Sequence, residues 1–293
     1  SHFGTEAMPF LLKAVDNSDK AFRYSALNLA EKMDDVATTR QWIAKAGTVS
    51  DETKAEIIDM LGRKGDVLAV NFMKESLQSP SGIVRAEAIN ALRKLEGNKA
   101  VPVLIEHMAK GQDLEVAKTA LQQLLSQKHL ALVAAQLDKT SGKTKAAFVD
   151  LIAAKSGTAF FDKIFALTKS GDADEKTAAF RALKKVSTEK NLDNIIGLLL
   201  AVNNESEIRE TKLAVVAAAK GVEPEKTENG KLLTALKNTN QKDRILAILP
   251  EIGGPVALET VSAYFKNATG KTKETAFEAL DRKSTRLNSS HRI

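Results

Sequence analysis

Seven basic side chains recur at one position relative to a repeated apolar motif, and they are the residues best placed to act together. Neighbouring members are mostly 31 to 33 residues apart, with Ala117 and Thr144 interrupting the series. We name the set the basic ladder: Arg23, Lys54, Arg85, Lys176, Arg209, Lys242 and Lys273. Such a row could attract an extended acidic partner. Alternatively, each cation could pair with a turn carboxylate of an adjacent repeat, such as Asp19 or Asp172.

Two glycine-containing segments invite comparison with a phosphate-binding loop. Both have the sequence Gly-Lys-Thr-Lys, at 142–145 and at 270–273. A phosphate-binding loop of this type needs another glycine five positions earlier, so that the backbone can wrap around the phosphates. Leu137 and Phe265 occupy those positions. We therefore interpret both segments as turns that precede helices.

The remaining polar residues form no catalytic or metal-binding pattern. His107 and His129 lie 22 residues apart, without the close spacing of helical metal ligands, and we expect each at a helix end or on a partly solvated face. The absence of cysteine removes thiolate chemistry, and there is no Gly-x-Ser-x-Gly nucleophile motif. We predict no catalytic residue, no metal and no cofactor. Trp42, the single tryptophan, is expected to pack in a core or groove.

The elements that position the basic ladder are given by an apolar motif that occurs nine times. Each copy has two adjacent, mostly apolar residues and a third apolar residue three positions later, which places all three on one stripe of a helix. Successive copies start 27 to 33 residues apart. The copies begin at Ala26, Ile57, Ala88, Ala120, Ala147, Ala179, Lys212, Ile245 and Ala276. We expect the leucines of this stripe to be buried, namely Leu61, Leu92, Leu124, Leu151, Leu183 and Leu249.

A polar residue stands seven positions before each copy and predicts the start of a helix. Eight of these nine residues are Ser, Thr, Asp or Asn, the preferred N-caps. They are Asp19, Ser50, Ser81, Asp113, Thr140, Asp172, Glu205, Asn238 and Thr269. A second apolar segment separates consecutive capped helices, and Pro9, Pro102 and Pro255 stand near the starts of three such segments. The unit is a helix–turn–helix pair that must stack on its neighbours to bury its apolar stripe.

The pairs resemble HEAT repeats over essentially all of residues 5–280. Val84-Arg85 and Ile208-Arg209 are similar to the Val-Arg pair that the second helix of this family often carries. The resemblance implies an all-α, right-handed α-solenoid of about nine helix pairs, with residues 1–280 as one elongated domain. The longer polar connection at 221–230 departs from the family pattern. Since the signature residues pack the solenoid, the resemblance implies a non-catalytic interaction or scaffold module.

The last thirteen residues, 281–293, do not continue the repeat. They resemble the translation of a sequencing adapter, and we expect an adapter-derived or disordered tail on a fragment of a larger bacterial protein. This segment contributes +3 of the chain's net charge of +6. The preceding 280 residues are therefore only weakly basic, which disfavours a nucleic-acid partner.

Several classes of function remain open. Similar arrays in secreted or periplasmic Bacteroidetes proteins accompany a domain like the 3-keto-disaccharide hydrolases, so the chain could be the helical accessory region of such a sugar-acting enzyme. HEAT-like DNA glycosylases and bilin lyases are further alternatives, although a glycosylase needs a basic, aromatic-lined face, and this chain has one Trp and two Tyr. We expect a monomer without a membrane span, which binds a protein or an extended acidic partner, such as another domain of the same chain.

Overall fold

The computed structural model describes residues 5–33, 36–219 and 227–290. All regular secondary structure in these ranges is helical, with no strand among them. The prediction of an all-α fold of consecutive helix pairs is confirmed. Two compact units can be distinguished, residues 1–151 and residues 152–293.

Unit 1 is residues 1–151, and it ends within the helix labelled α10. Short first helices, with odd numbers, alternate with mostly longer second helices, with even numbers. The helices are α1 (Met8–Ala14), α2 (Lys20–Glu31), α3 (Val36–Ala46), α4 (Asp51–Lys64), α5 (Val70–Ser76), α6 (Gly82–Glu96), α7 (Val101–Ala109), α8 (Leu114–Leu124), α9 (Leu130–Ala134) and α10 (Gly142–Ala154).

Unit 2 is residues 152–293 and continues the alternation, with one second helix broken in two. Its helices are α11 (Phe161–Leu167), α12 (Ala173–Val186), α13 (Leu192–Ala201), α14 (Glu205–Ala219), α15 (Thr227–Asn238), α16 (Lys242–Leu246), α17 (Leu249–Ile252), α18 (Pro255–Asn267) and α19 (Gly270–Ser290). The break between α16 and α17 follows from Pro250, because its ring cannot be accommodated in a helix interior. None of the described helices is long and apolar enough to cross a membrane.

Polar side chains cap three of the second helices as the sequence predicts. Asp19 Oδ1 accepts from the backbone N–H of Ala21 at 2.8 Å. Ser50 Oγ and Asp172 Oδ1 make the corresponding bonds at 3.3 and 3.0 Å. Pro9, Pro102 and Pro255 all lie in the first turn of a helix, where the missing N–H has no helical acceptor.

Three of the predicted caps are wrong. Helix α10 begins after Ser141 and not after Thr140, and Asn238 is the last residue of α15. The cap of α14 is Asn204 and not Glu205, since Asn204 Oδ1 accepts from the N–H groups of two first-turn residues at 2.9 and 3.2 Å. Counting from Asn204 moves the apolar copy of α14 by one residue, from Lys212 to Thr211.

This corrected register agrees with the burial of side chains in α14. Thr211 and Val215 are buried, whereas Leu213, a member of the copy that the sequence begins at Lys212, is 39% exposed. The pair Ile208-Arg209, which resembles the family's Val-Arg pair, is also displaced by one residue relative to its N-cap. Val84 is the third residue after its cap, whereas Ile208 is the fourth residue after Asn204.

Most positions of the predicted stripe lie in the core, together with apolar side chains of the first helices. Five of the six leucines expected in it are buried. The prediction for Leu124 is wrong. Helix α8 ends at this residue, and the next residue, Leu125, is buried in its place. Phe277, in the ninth copy, is 56% exposed.

The two segments that departed from the repeat lie partly outside the described residues. The polar connection is undescribed from 220 to 226, and α15 begins at Thr227. Over the described part of the tail, α19 continues to Ser290 and no new helix pair begins. Residues 291–293 lie outside the described residues. The adapter origin of the tail and the single elongated domain stay predictions.

The close approach of α4 to α6 provides a test of stability. A Cβ on Gly62 of α4 would lie 2.9 Å from Cβ and 3.0 Å from Cα of Ala91 in α6. The Cα and Cβ atoms of Ala91 can move only if the helix backbone moves. We therefore expect Gly62→Ala to lower the free energy of unfolding by about 1–2 kcal/mol. Gly197, on the exposed side of α13 with no atom within 4 Å of such a Cβ, is the control.

At Gly197 only the gain in helix propensity operates, so Gly197→Ala should raise the free energy of unfolding by about 0.5–1 kcal/mol. Urea denaturation monitored by circular dichroism measures both variants. Stabilisation by Gly62→Ala would contradict the close packing of α4 on α6.

Candidate binding surface

Arg23 of the basic ladder connects two neighbouring helix pairs. Its guanidinium is buried and makes a two-pronged contact with Glu56 of α4, with Nε–Oε2 at 2.8 Å and Nη2–Oε1 at 2.7 Å. Its Nη1 donates to the backbone oxygens of Asn17 and Ser18, both at 3.1 Å. The hydrogen bond with Glu56 raises the pKa of Arg23. Arg23 therefore holds the turn before α2 to the next second helix.

Arg85 makes an equivalent connection from α6. Its Nε and Nη2 lie 2.7 and 3.1 Å from the two carboxylate oxygens of Asp113, and Nη1 donates to the carbonyls of Ser79 and Pro80. The buried His107 also contacts Asp113, through Nε2 at 2.9 Å. The predicted pairing of a ladder cation with a turn carboxylate therefore occurs here, at the residue before α8.

Asp113 stands at the N-cap position of α8, but its side chain bonds to Arg85 and His107 and not to the helix. Its backbone is left-handed, with φ of 49°, and its side chain makes no cap bond. Burial alone would raise the pKa of Asp113, but the hydrogen bonds from Arg85 and His107 outweigh it, and the pKa is lowered. The carboxylate is thus ionised and accepts hydrogen bonds from both Arg85 and His107. The sequence spacing between Asp113 and Arg85 does not reveal this contact.

Three ladder lysines lie over aromatic rings. Lys54 Nζ is 5.8 Å from the ring centroid of Phe72, and Lys273 Nζ is 5.7 Å from that of Phe265. Lys176 Nζ is 5.9 Å from the Phe180 ring and 2.6 Å from a carboxylate oxygen of Glu207. These partly or fully exposed cations contribute less to stability than a buried pair.

Arg209 is the most open arginine of the ladder. Its side chain is 69% exposed and has two weak contacts, with Glu210 Oε1 at 3.6 Å and with Ser206 Oγ at 3.3 Å. The corrected register explains this exposure, since Arg209 is five residues after its cap, whereas Arg23 and Arg85 are four residues after theirs. Arg209 therefore points away from the neighbouring pair that would have enclosed it.

Two grooves meet at Arg209 in unit 2. The first, of about 490 Å³, lies between α12 and α14 and includes Lys176, Phe180, Arg181 and Glu207. It brings together two members of the basic ladder, Lys176 and Arg209. Lys242 lines a different groove, of about 430 Å³, beside Tyr264 and Thr272. The seven cations therefore do not share one groove.

The second groove at Arg209, of about 310 Å³, lies between α14 and α17 and has an apolar floor. The floor is formed by Ile208, Leu213, Val216, Ala247 and Ile248, and the border includes Glu205, Arg209, Lys212 and Glu251. Leu213 and Val216 belong to the apolar copy that the sequence begins at Lys212, but Leu213 is exposed whereas Val216 is buried. The cap at Asn204 was the local signal that would have assigned Leu213 to this surface.

The other singled-out residues lie in the core and form no site among the described residues. Trp42 is fully buried, as predicted. Both histidines are near helix ends but buried and not solvated. The pKa of His129 is lowered, mainly by burial and to a smaller extent by the positive charge of Lys128. Its Nδ1 accepts a hydrogen bond from the backbone N–H of Ser126 at 3.2 Å. No cluster of three potential metal ligands occurs within the described ranges.

The fold and these helix contacts define an α-helical repeat protein. Residues 39–125 match the family model for HEAT repeats. This stretch of the chain therefore contains HEAT repeats, as its sequence pattern indicates. No relative was found among curated proteins.

Solved structures with a similar fold are distant. One is the complex of CpcE and CpcF of phycocyanin lyase from Nostoc sp. PCC7120, with 16% identity, a TM-score of 0.37, and coverage of 81% of this chain and 98% of that chain. Another is human deoxyhypusine hydroxylase in complex with glycerol, with 17% identity, a TM-score of 0.35, and coverage of 96% of both chains. At these scores neither likeness assigns an activity to this chain.

The Arg23–Glu56 pair provides a test of the ladder's structural role. Removing one partner of a buried pair leaves the other charge unpaired, so Arg23→Leu should lower the free energy of unfolding by about 3–5 kcal/mol. The double variant Arg23→Leu, Glu56→Leu should recover much of that loss. Lys273→Leu, at an exposed ladder position, is the control and should change stability by less than about 0.5 kcal/mol. Equal effects of Arg23→Leu and Lys273→Leu would refute the distinction between the two positions.

The lowered pKa of Asp113 predicts that its contribution to the free energy of unfolding depends on pH. Because the folded-state pKa is below the unfolded value of about 3.9, the carboxylate stabilises the fold above that pH. The contribution disappears as the pH falls through the folded-state pKa. The difference in free energy of unfolding between the parent chain and Asp113→Asn should therefore be constant near neutral pH and should shrink in acid. Urea titrations at several pH values measure it, and a difference that grows in acid is incompatible with the assigned shift.

Proposed function

We propose that this segment is a non-catalytic protein-interaction module whose partner binds along α14, over the two grooves that meet at Arg209. The observation that supports this most directly is the exposed Arg209 beside the apolar floor of the α14–α17 groove. HEAT repeats are held together by residues that pack, as Arg23 and Arg85 do here. On α14, Arg209 and Leu213 remain largely exposed beside these grooves, so a partner can reach both side chains.

The chemistry of the groove specifies the kind of partner. Leu213 and its apolar neighbours would receive aliphatic or aromatic side chains, and Arg209 would pair with a carboxylate. Glu205 and Glu251 on the border disfavour a uniformly acidic segment. We therefore propose an amphipathic helical segment with an apolar stripe and an acidic residue beside it, which is a common way for a helix to bind a groove.

This proposal uses only part of the basic ladder. Arg209 contacts the partner directly, and Lys176 borders the adjoining groove. Arg23 and Arg85 are excluded from binding because their guanidinium groups are already satisfied within the fold. Lys54, Lys242 and Lys273 are not required.

Selection of binding peptides from a random library tests the proposal. A phage-displayed library of random peptides is selected on the immobilised chain, and fluorescein-labelled peptides from it are titrated by anisotropy. We expect apolar residues at helical spacing together with an acidic residue. Arg209→Glu and Leu213→Asp should each weaken binding by at least about tenfold, and affinity should fall with salt.

The charge-matched control is Lys99→Glu, at an exposed position in unit 1 that lines neither groove. It should bind the selected peptides as the parent chain does. Failure to enrich any peptide, or equal binding by Arg209→Glu, would rule out this surface as the binding site.

A further inference from the structure

The second helix that follows α14 is broken into α16 and α17 at Pro250. A proline has no N–H to donate to the carbonyl four residues earlier, here that of Leu246. On either side of the break, hydrogen bonds join residues only three positions apart, from Ile248 N to Ile245 O at 3.1 Å and from Glu251 N to Ile248 O at 3.0 Å. Regular α-helix is therefore interrupted at residues 247 and 248.

The residues around this break form one wall of the groove between α14 and α17. Ala247 and Ile248 line the groove just before Pro250, and Glu251 lines it just after. The opposite wall is α14, which includes the exposed Leu213. Because the second helix lines the groove only with residues within three positions of Pro250, the break determines the form of this wall.

Unbroken second helices pack closely on one another elsewhere in the chain. Helices α4 and α6 are both continuous, and a Cβ on Gly62 would lie 2.9 Å from Cβ of Ala91. Gly62 is twelve positions after the cap of α4, and the residue twelve positions after the cap of α14 is Val216. Val216 borders the groove of about 310 Å³. The same position thus meets a neighbouring helix in α4 and an open groove in α14.

We propose that Pro250 is a positioning residue for the α14–α17 groove. By ending α16 early, it keeps this second helix from packing along α14 as α6 packs along α4. The groove then exists because the broken helix leaves part of α14 uncovered, and the partner helix covers that part. The importance of Pro250 for binding rests on the function proposed above, whereas its role in opening the groove does not.

Thiol labelling tests the opening of the groove without a partner. The chain contains no cysteine, so Leu213→Cys introduces a single thiol at the groove. Adding Pro250→Ala restores a backbone N–H and a residue of high helix propensity, which favours a continuous helix. The thiol should then react with an aromatic disulfide reagent at least about fivefold more slowly, because burial protects a thiol from reaction.

An unchanged labelling rate would overturn the proposal. Slower labelling with Val216→Ala, but not with Pro250→Ala, would also overturn it, since the size of Val216 and not the break would then control the groove. Pro250→Gly restores the N–H but has a low helix propensity. Its labelling rate should lie between those of the parent proline and Pro250→Ala, and a rate below that of Pro250→Ala would contradict the role of helix continuity.

Two controls show whether the effect is confined to the groove. Pro255→Ala removes a proline from the first turn of α18, where the N–H has no helical acceptor, and should leave the labelling of Leu213→Cys unchanged. Asn194→Cys places the thiol at an exposed position of α13 that does not line the groove, and Pro250→Ala should not alter its reaction rate. Equal slowing at both thiols would refute a specific effect on the groove. Circular dichroism checks that every variant is folded.

Peptides selected on the parent chain test the consequence for binding. With Leu213 retained, Pro250→Ala should weaken their binding by at least about tenfold, and Pro255→Ala should bind them as the parent chain does. If no peptide is enriched, the proposed function fails, and the labelling rates still decide whether Pro250 opens the groove. If labelling slows but Pro250→Ala binds the peptides as tightly as the parent chain, the link between Pro250 and binding is refuted.

Discussion

The structure depends on apolar stripes that a helix pair can bury only against the next pair. In α4 the side chains of Ile57, Ile58 and Leu61 are fully buried, although a single antiparallel pair has too little surface to enclose them. The approach of Gly62 to Ala91 shows how closely the second helices must come together for this. Burial across the pairs, roughly proportional to the apolar area removed from water, is therefore the main source of stability.

Ion pairs between repeats follow from this stacking. Once α2 and α4 lie side by side, a cation four residues after the first cap lies opposite Glu56. The same spacing brings Arg85 to Asp113. Three of the seven ladder cations, Arg23, Arg85 and Lys176, thus connect neighbouring helix pairs. Where the register differs, at Arg209, the cation is left on the surface and borders the candidate binding grooves.

The features that could be predicted from the sequence are local or periodic ones. The caps at Asp19, Ser50 and Asp172 could be predicted because an N-cap bonds within its own first turn. The copy in α14 was misplaced because Leu213 offers an apolar residue one position from the correct frame. The partners of Arg23 and Arg85 could not be predicted, since each contact joins residues about 30 positions apart. The grooves depend on how helices pack, which periodicity does not specify.

The central claim, that each helix pair is stable through its neighbours, can be measured by hydrogen exchange with mass spectrometry on Leu92→Ala. Leu92 is fully buried in α6, and its loss should weaken the stacking on both sides. We expect faster exchange in α4, α6 and α8, with α12 and α14 unchanged, since coupling in repeat proteins acts between nearest neighbours. Faster exchange confined to α6 alone would contradict it, because each pair would then be stable without the next.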